Sequence, residues 1–470
     1  MHDLSRLVSS NGTLSAIEDL FPKETYLVGG CVRDMLLGKD PQDFDIVTFS
    51  DVGTLAEKIS QRLSSSAFWM DKKRGVVRIS RKGSNTIDIS SPKGKDIESD
   101  LRKRDITINA MGYDLCDKKF IDPVCGLADL DHGVIRLVSE ENLRDDPARL
   151  VRCLRFSVVL GFPVAASTVA LLKKHASRLR TVSAERVKQE FIKALCGPNG
   201  SSFFALMETT GLIDALFPNI RYQDISMALR GLRSALFLAR EIDGLVYDAE
   251  KLLPGSSQEL AQEVEAGLSR ACVLRLAAFV SGILHFHPTG LSGRGPDSTV
   301  FITELGILNA AEICSSLRFS SRAVSTIKLT LASQKLAQEI LSQRKLPIRA
   351  VHLLCEVSSS CLPEVLLLAL AWKRSAGEAT FEHDSLKEKI QALWSHFLDI
   401  YQVHKQSLLI DGNDIMQTLD ISAGPVVGRL LQEVQTARAE GIVNTREEAI
   451  EHLHVLRRAM KERPDVKRYR

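Results

Sequence analysis

The chain has 470 residues, of which 44% are apolar and 25% charged, with a formal net charge of +3. That length leaves room for three or four domains, and those shares exclude a disordered, collagenous or coiled-coil chain. Aromatic residues make up only 6%, which suits packed helices better than a β-sandwich, and the small net charge makes any nucleic-acid-binding face a local one.

Residues 26 to 48 read as strand, turn, helix, turn, strand: Tyr26-Leu27-Val28, then Gly29-Gly30, a short helix from Cys31 to Leu37 closed by Gly38, then Phe44 to Phe49. Alternating apolar patterns follow at Val76 to Ile79 and Thr86 to Ile89, so the chain opens with a small α/β domain. After about residue 137 helical spacing takes over, as in Leu150, Val151, Leu154, Phe156 and Val158 and in Val187, Phe191 and Leu195. Breaks at Gly197 to Gly200, Pro254 to Ser257 and Pro288 to Pro296 separate helical units. Boundaries near 137, 200 and 345 give four expected regions: 1–137, 138–200, 201–345 and 346–470. Arg457 to Arg470 holds seven bases against two acids, either a solvated tail or a basic contact.

The longest apolar runs, such as Val365 to Trp372, fall far short of the ~20 residues that cross a bilayer, so no membrane span is expected. The start, Met1-His2-Asp3-Leu4, lacks a basic segment leading into an apolar stretch, and the nine cysteines contain no C-x-x-C pair. A cytoplasmic chain without a zinc cluster or disulfide framework is the expectation.

Gly29-Gly30 at a strand-to-helix junction lets backbone amides approach an anion, although a Gly-Gly turn also serves simple chain reversal. Asp43-Phe44-Asp45 gives the turn a chemical context. Residues two apart on a strand face the same side, and two such carboxylates repel unless a cation lies between them. Paired Mg2+ ions would neutralise them, one activating a hydroxyl and the other holding triphosphate oxygens. Asp88, on a later alternating strand, is either a third carboxylate of that site or an outward-facing strand residue.

Leu27 to Gly38 followed by Asp43-Phe44-Asp45 resembles the nucleotidyltransferase signature of the class II tRNA CCA-adding enzymes and bacterial poly(A) polymerases. Lys103-Arg104-Asp105-Ile106-Thr107-Ile108-Asn109-Ala110 resembles their R-R-D-F-T-x-N-A motif, with Lys103 for the first Arg. Ile121-Asp122-Pro123 to Arg136 resembles the D-P-x-G-G-x-x-D-L segment, with Cys125 for the first Gly. Asp145-Asp146-Pro147-Ala148-Arg149 resembles E-D-x-x-R, and Ser183 to Glu190 resembles S-x-E-R-x-x-x-E.

The resemblance implies an α+β fold: a small mixed-sheet, polymerase β-like nucleotidyltransferase head (1–137) followed by an all-α neck (138–200), body (201–345) and tail (346–470). It implies Mg2+-dependent addition of C and A from CTP and ATP to the 3′ end of tRNA, with release of pyrophosphate. Asp43, Asp45 and Asp88 would be catalytic, with Asp43 and Asp45 holding metal. Gly29, Gly30, Arg33 and Arg104 would take the triphosphate, and Asp105 and Asn109 would lie near the ribose. Asp146 and Arg149 would select the base, the carboxylate accepting from the exocyclic amine of C or A and the guanidinium donating to the ring nitrogen. Three positions apart, the two share one face if both are helical, whereas a plain helix cap at Asp146 with Pro147 following is the competing reading.

Leu274 to Gly282 resembles the opening of an HD phosphohydrolase segment in which Ser281-Gly282 stands where the metal-binding His-Asp would be, and His285 and His287 read as loop or core histidines. Gly424 to Leu430 resembles the tail of CCA-adding enzymes, with Gly424, Gly428 and Arg429 as RNA contacts. Only residues 89 to 103 separate Asp88 from Arg104, a shortened form of the loop that helps the site switch from C to A. Complete CCA addition is placed ahead of CC-adding, A-adding or poly(A) activity, and an inactive RNA-binding relic is the non-enzyme alternative.

Overall fold

The computed structural model describes residues 4–80, 85–217, 225–285, 304–375 and 383–462, which fall in two compact units divided at residue 218. The expected break at Pro288 to Pro296, His287, the side chain of His285 and the basic end beyond residue 462 lie outside the described residues.

The first unit is built on a seven-stranded sheet of order β3-β4-β5-β2-β1-β6-β7. Its strands are β1 (Thr25–Val28), β2 (Asp43–Thr48), β3 (Ser66–Asp71), β4 (Val76–Ser80), β5 (Thr86–Ser90), β6 (Gly112–Asp114) and β7 (Phe120–Ile121). All neighbours are antiparallel except β2 and β5, which run parallel with Phe44 opposite Ile87 and Asp45 opposite Asp88. The alternation of β4 and β5 sorts the faces. Val77, Ile79, Ile87 and Ile89 join Phe44 and Ile46 in the core, leaving Arg78, Asp88 and Asp45 on the other face.

Helix α1 (Gly30–Leu36) follows β1, and α2 (Val52–Arg62) covers the core face with Val52, Leu55, Ala56 and Ile59. Those positions, i, i+3, i+4 and i+7, make an apolar stripe, and Asp51 caps its start by accepting from the Thr54 N–H at 2.7 Å. The first seam of α2 meets Trp69 at Gly53. β3 is an outer strand, and its Phe68, Trp69 and Met70 are all exposed. Helices α3 (Ile97–Arg102), α4 (Glu140–Asp145), α5 (Arg149–Leu160) and α6 (Ala184–Leu195) follow. Packing continues past residue 200: Phe203 meets Phe191 edge to face at 5.2 Å, and Phe204 and Phe217 join the same cluster.

Among its described residues the regular structure of the second unit is helical apart from a short β-hairpin at 263–269. Helices α7 (Ile225–Tyr247) and α8 (Arg270–His285) pack at its centre with α9 (Leu362–Ser375). Glu364, fully buried, is held by Arg270 through two hydrogen bonds of 2.7 Å. The final helices, α10 (Gly412–Leu419), α11 (Pro425–Ala439) and α12 (Arg446–Glu462), share a core that includes Ile415, Leu430, Val434 and Leu453. Among the described residues no single helix is long and apolar enough to cross a membrane.

Ser281 and Gly282 serve packing in this unit. Ser281 Oγ accepts from the indole N–H of Trp372 at 3.0 Å, and both groups are enclosed. A Cβ on Gly282 would stand 2.3 Å from Ala235 Cα on α7, so only glycine permits that approach. Gly282→Ala is therefore expected to lower stability by about 1–3 kcal/mol, a drop of roughly 2–10 °C in the melting transition of this unit. Replacing Ser281-Gly282 by His-Asp should unfold the unit; a folded variant that binds Mn2+ would show a dormant metal site instead.

Candidate active site

Gly29 is the pivot between β1 and α1. Its φ of +84° lies in the region that favours glycine, and its N–H donates to the Met111 carbonyl at 3.1 Å. A Cβ there would lie 2.7 Å from Arg104 Nη1 and 3.2 Å from Asp45 Oδ2. Gly29 thus allows a guanidinium and a carboxylate to rest over the backbone. A Cβ on Gly30 would meet the Arg33 guanidinium, nearest at Nη2, 3.4 Å away, an ordinary contact.

The sheet register assembles the carboxylates. Asp43 and Asp45 face the same side of β2 and both reach solvent, and Asp88 is the partner of Asp45 across the parallel pair. Desolvation by surrounding protein pushes the Asp45 carboxyl up; Arg104 pulls it down, and the charges of Asp88 and Asp43 add to the rise. Asp88 is already engaged, accepting from Arg78 Nε at 2.7 Å and Nη2 at 2.6 Å. Among the described residues no three carboxylate, imidazole or thiolate groups form a ready metal cage. The donor set nevertheless fits a hard divalent cation: it is all carboxylate oxygen, mutually repelling and balanced by guanidinium.

Arg33 and Asn109 come together. The buried guanidinium is gripped by Asp34 at 2.8 Å and donates through Nη1 to Asn109 Oδ1 at 2.5 Å. Arg104 contacts Asp100 at 3.4 Å, and its Nε is buried without a hydrogen-bond partner. Such an orphaned donor costs about 1–3 kcal/mol until an acceptor arrives. Asp105 is buried and accepts from the Ile106 N–H at 2.9 Å and from Arg152 at 2.8 Å. Burial acts to raise its carboxyl, but Arg152, that N–H, Arg149 and Arg104 together hold it below the usual carboxylate value.

Asp146 and Arg149 do not share a helix face. Asp146 follows α4 in an extended conformation, φ −139° and ψ 91°, and α5 begins only at Arg149. The turn that sets them apart is made by Asp146 itself, whose Oδ1 accepts from the Ala148 N–H at 3.2 Å and whose carbonyl accepts from the Arg149 N–H at 3.1 Å. Capping and partner selection are thus combined, because the Asp146 carboxylate also accepts twice from Arg186, at 2.9 and 3.0 Å. Arg149 donates instead to the carbonyls of Lys103 at 2.8 Å and Arg104 at 3.1 Å. Asn142 braces the same strip, its amide donating to the carbonyls of Arg102 and Arg104.

Arg78, Arg152 and Asn142 are not singled out by sequence reasoning. Arg152 was legible as the residue one turn after Arg149, whereas nothing local marks the other two. Gly424, Gly428 and Arg429 lie exposed at the start of α11 in the second unit. Gly424 is extended, φ 170°, and a Cβ on either glycine would meet nothing within 4 Å, so neither is sterically required.

Three family models match: the poly(A) polymerase head domain over residues 25–136, the RNA- and SrmB-binding site of polymerase A over 161–223, and tRNA nucleotidyltransferase domain 2 over 299–453. The CC-adding tRNA nucleotidyltransferase of Geobacter sulfurreducens is 28% identical over 431 residues, 91% of each chain. The A-adding tRNA nucleotidyltransferase of Deinococcus radiodurans is 28% identical over 451 residues, 91% of this chain and 94% of that one. In structure, the chain is similar to the Thermotoga maritima CCA-adding enzyme complexed with tRNA, with a TM-score of 0.67 at 23% identity over 97% of this chain and 98% of that one.

The carboxylate cluster carries a stability cost. A carboxyl that holds its proton more tightly in the folded than in the unfolded chain subtracts stability once it ionises, so the cost is absent at low pH and present above the raised value. Asp45→Asn is expected to raise the melting temperature of the metal-free protein near neutral pH slightly, by about 1 °C or less, because the side chain reaches solvent. The gain should shrink as pH falls towards the ordinary carboxylate value. A gain that persists unchanged at low pH would assign it to packing rather than charge.

Proposed function

We propose, for a chain that belongs to the family of tRNA nucleotidyltransferases and bacterial poly(A) polymerases, that it extends the 3′ end of tRNA with C residues from CTP. The 3′ hydroxyl attacks the α-phosphate and pyrophosphate leaves. Mg2+ held by Asp43, Asp45 and Asp88 supplies, when bound, positive charge at the attacking hydroxyl and the triphosphate oxygens. Arg104, with its orphaned Nε, gains a phosphate oxygen, and Arg33 is aligned beside it by Asp34 and Asn109. Asp105, kept ionised, accepts from the ribose 2′-hydroxyl. Arg186 fixes Asp146 so that its carboxylate accepts from an exocyclic amine while Arg149 donates to the ring nitrogen. Uracil and guanine turn a carbonyl towards that carboxylate, a mismatch costing roughly 1–3 kcal/mol. Head and neck, with the start of the body as far as residue 217, in the first unit and the rest of the body and the tail in the second, with Gly424, Gly428 and Arg429 on the tRNA, are parts of the same reading.

The observation that favours CC addition over the complete CCA addition suggested by the sequence is the link between β5 and α3. It is short and tied down. The Lys93 N–H donates to Asp100 Oδ1 at 2.8 Å, and Lys103 Nζ donates to the Lys93 carbonyl at 2.5 Å. Asp96 and Ser99 close a capping box, and a Cβ on Gly94 would lie 2.0 Å from Ser99 Oγ. A pinned link has no slack with which to reshape the base site for ATP. The name of the Geobacter relative agrees with this reading.

With CTP and ATP together, tRNA lacking its last three nucleotides is expected to gain two C residues and stop, and tRNA ending in CC to gain nothing. Addition of A to the latter would restore complete CCA synthesis, and long A tails on a generic RNA primer would replace the tRNA reading by poly(A) synthesis. Asp43→Ala should reduce incorporation at least 100-fold. Wild-type incorporation by that variant would overturn the assignment of the carboxylates.

A further inference from the structure

Arg78 is not absorbed by the reaction just described, yet it stands in the row of residues that carries it. In register across three strands lie Arg78 on β4, Asp88 on β5 and Asp45 on β2, all on the sheet face opposite α2. At the ordinary strand spacing of about 4.8 Å the row is short enough for one guanidinium to influence every carboxylate in it. Both oxygens of Asp88 are taken, Oδ1 by Nε at 2.7 Å and Oδ2 by Nη2 at 2.6 Å. Each oxygen keeps a lone pair beside these bonds, but a cation ligated there would stand directly against the guanidinium.

We propose that Arg78 is a resident counter-cation of the catalytic carboxylates, holding Asp88 until a divalent metal ion displaces it. The proposal rests on the reading that Asp88 belongs to the metal site. Two observations say why Arg78 is the guanidinium that yields. Its side chain is 39% exposed, so it can turn into solvent without leaving a buried charge unpaired. Arg104, the other cation beside Asp45, is 23% exposed and contacts Asp100, which is 4% exposed. Arg104 is the more enclosed of the two, whereas Arg78, although it holds Asp88 tightly, has solvent to turn into. The fields of Asp43 and Asp45 also act on Arg78, so its charge answers the whole cluster, Asp88 foremost. A divalent ion brings two charges to the place where Arg78 brings one, and a guanidinium left beside it would be repelled. Metal entry and departure of Arg78 from Asp88 are then one exchange. The threshold of metal concentration is set by the strength of an ion pair within the chain.

The test is Mn2+ binding to the full, substrate-free protein at about pH 8, followed by calorimetry and by the metal-induced rise in melting temperature. Arg78→Gln is expected to bind Mn2+ roughly two- to fivefold more tightly than wild type, the factor by which a partly exposed ion pair competes. Arg78→Lys, which cannot occupy both oxygens, should fall between the two and carries the same test if the Gln variant does not fold. Asp88→Asn should weaken binding, and the double variant should match it, with no gain left from residue 78. Wild-type or weaker Mn2+ affinity in both Arg78 variants, with Asp88→Asn still weakened, overturns the role of Arg78 alone. Mn2+ affinity untouched by Asp88→Asn overturns the place of Asp88 in the metal site. Loss of CTP affinity in metal-free buffer, with Mn2+ affinity unchanged, would make Arg78 a nucleotide contact and also defeat the proposal.

Discussion

The first unit depends on one pairing, the parallel alignment of β2 with β5 that sets Asp45 opposite Asp88. Side chains alternate across a strand, so a slip of either strand by one residue would send its carboxylate into the core and bring its apolar pair, Phe44 and Ile46 on β2 or Ile87 and Ile89 on β5, to the surface. The burial of those four apolar residues therefore fixes the position of the acids. The same row decides what else can approach: Gly29 leaves room for Arg104, and Arg78 arrives from β4 because its own neighbours Val77 and Ile79 are held in the core.

Around this row the chain invests in holding backbone carbonyls. The carbonyls of Arg102, Lys103 and Arg104 are engaged by side chains of Asn142 and Arg149, which belong to helices of the following segment. The strip that carries Arg104 and Asp105 is clamped from the same side on which Asp146 and Arg186 meet. Buried donors and acceptors satisfied in this way are costly to disturb. A change at Asn142 would reach Arg104 through its backbone carbonyl without touching the guanidinium.

Legibility in the sequence followed the range of the interactions. Gly29, the paired aspartates and the alternating strands were readable because each rule spans a few residues. The amphipathic spacing of Val52 to Ile59 behind Asp51 is equally local, whereas β3 carries no such signal, because its exposed Phe68 to Met70 lacks the alternation of a half-buried strand. Asp146 and Arg149 invited a helical reading, but Asp146 turns its side chain onto the Ala148 N–H and ends the extended link before the helix begins. Partner choice was beyond reach: nothing local tells Asp146 to take Arg186, or Arg78 to take Asp88. Ser281-Gly282 could be recognised as unable to hold metal, whereas its use as a close helix contact needed Ala235 to be located.

The outer strand β3 has a consequence for the behaviour of the protein in solution. Unpaired strand edges with apolar side chains are templates for edge-to-edge association, and natural sheets blunt them with bulges and lysines. Both devices occur here: a break in register between Trp69 and Asp71, then Lys72, Lys73 and Arg74 in the turn. Electrostatic protection is screened by salt while apolar attraction is not. Raising ionic strength to strip RNA from the protein thus removes the guard on this edge at the same time, and the two associations answer salt in opposite directions.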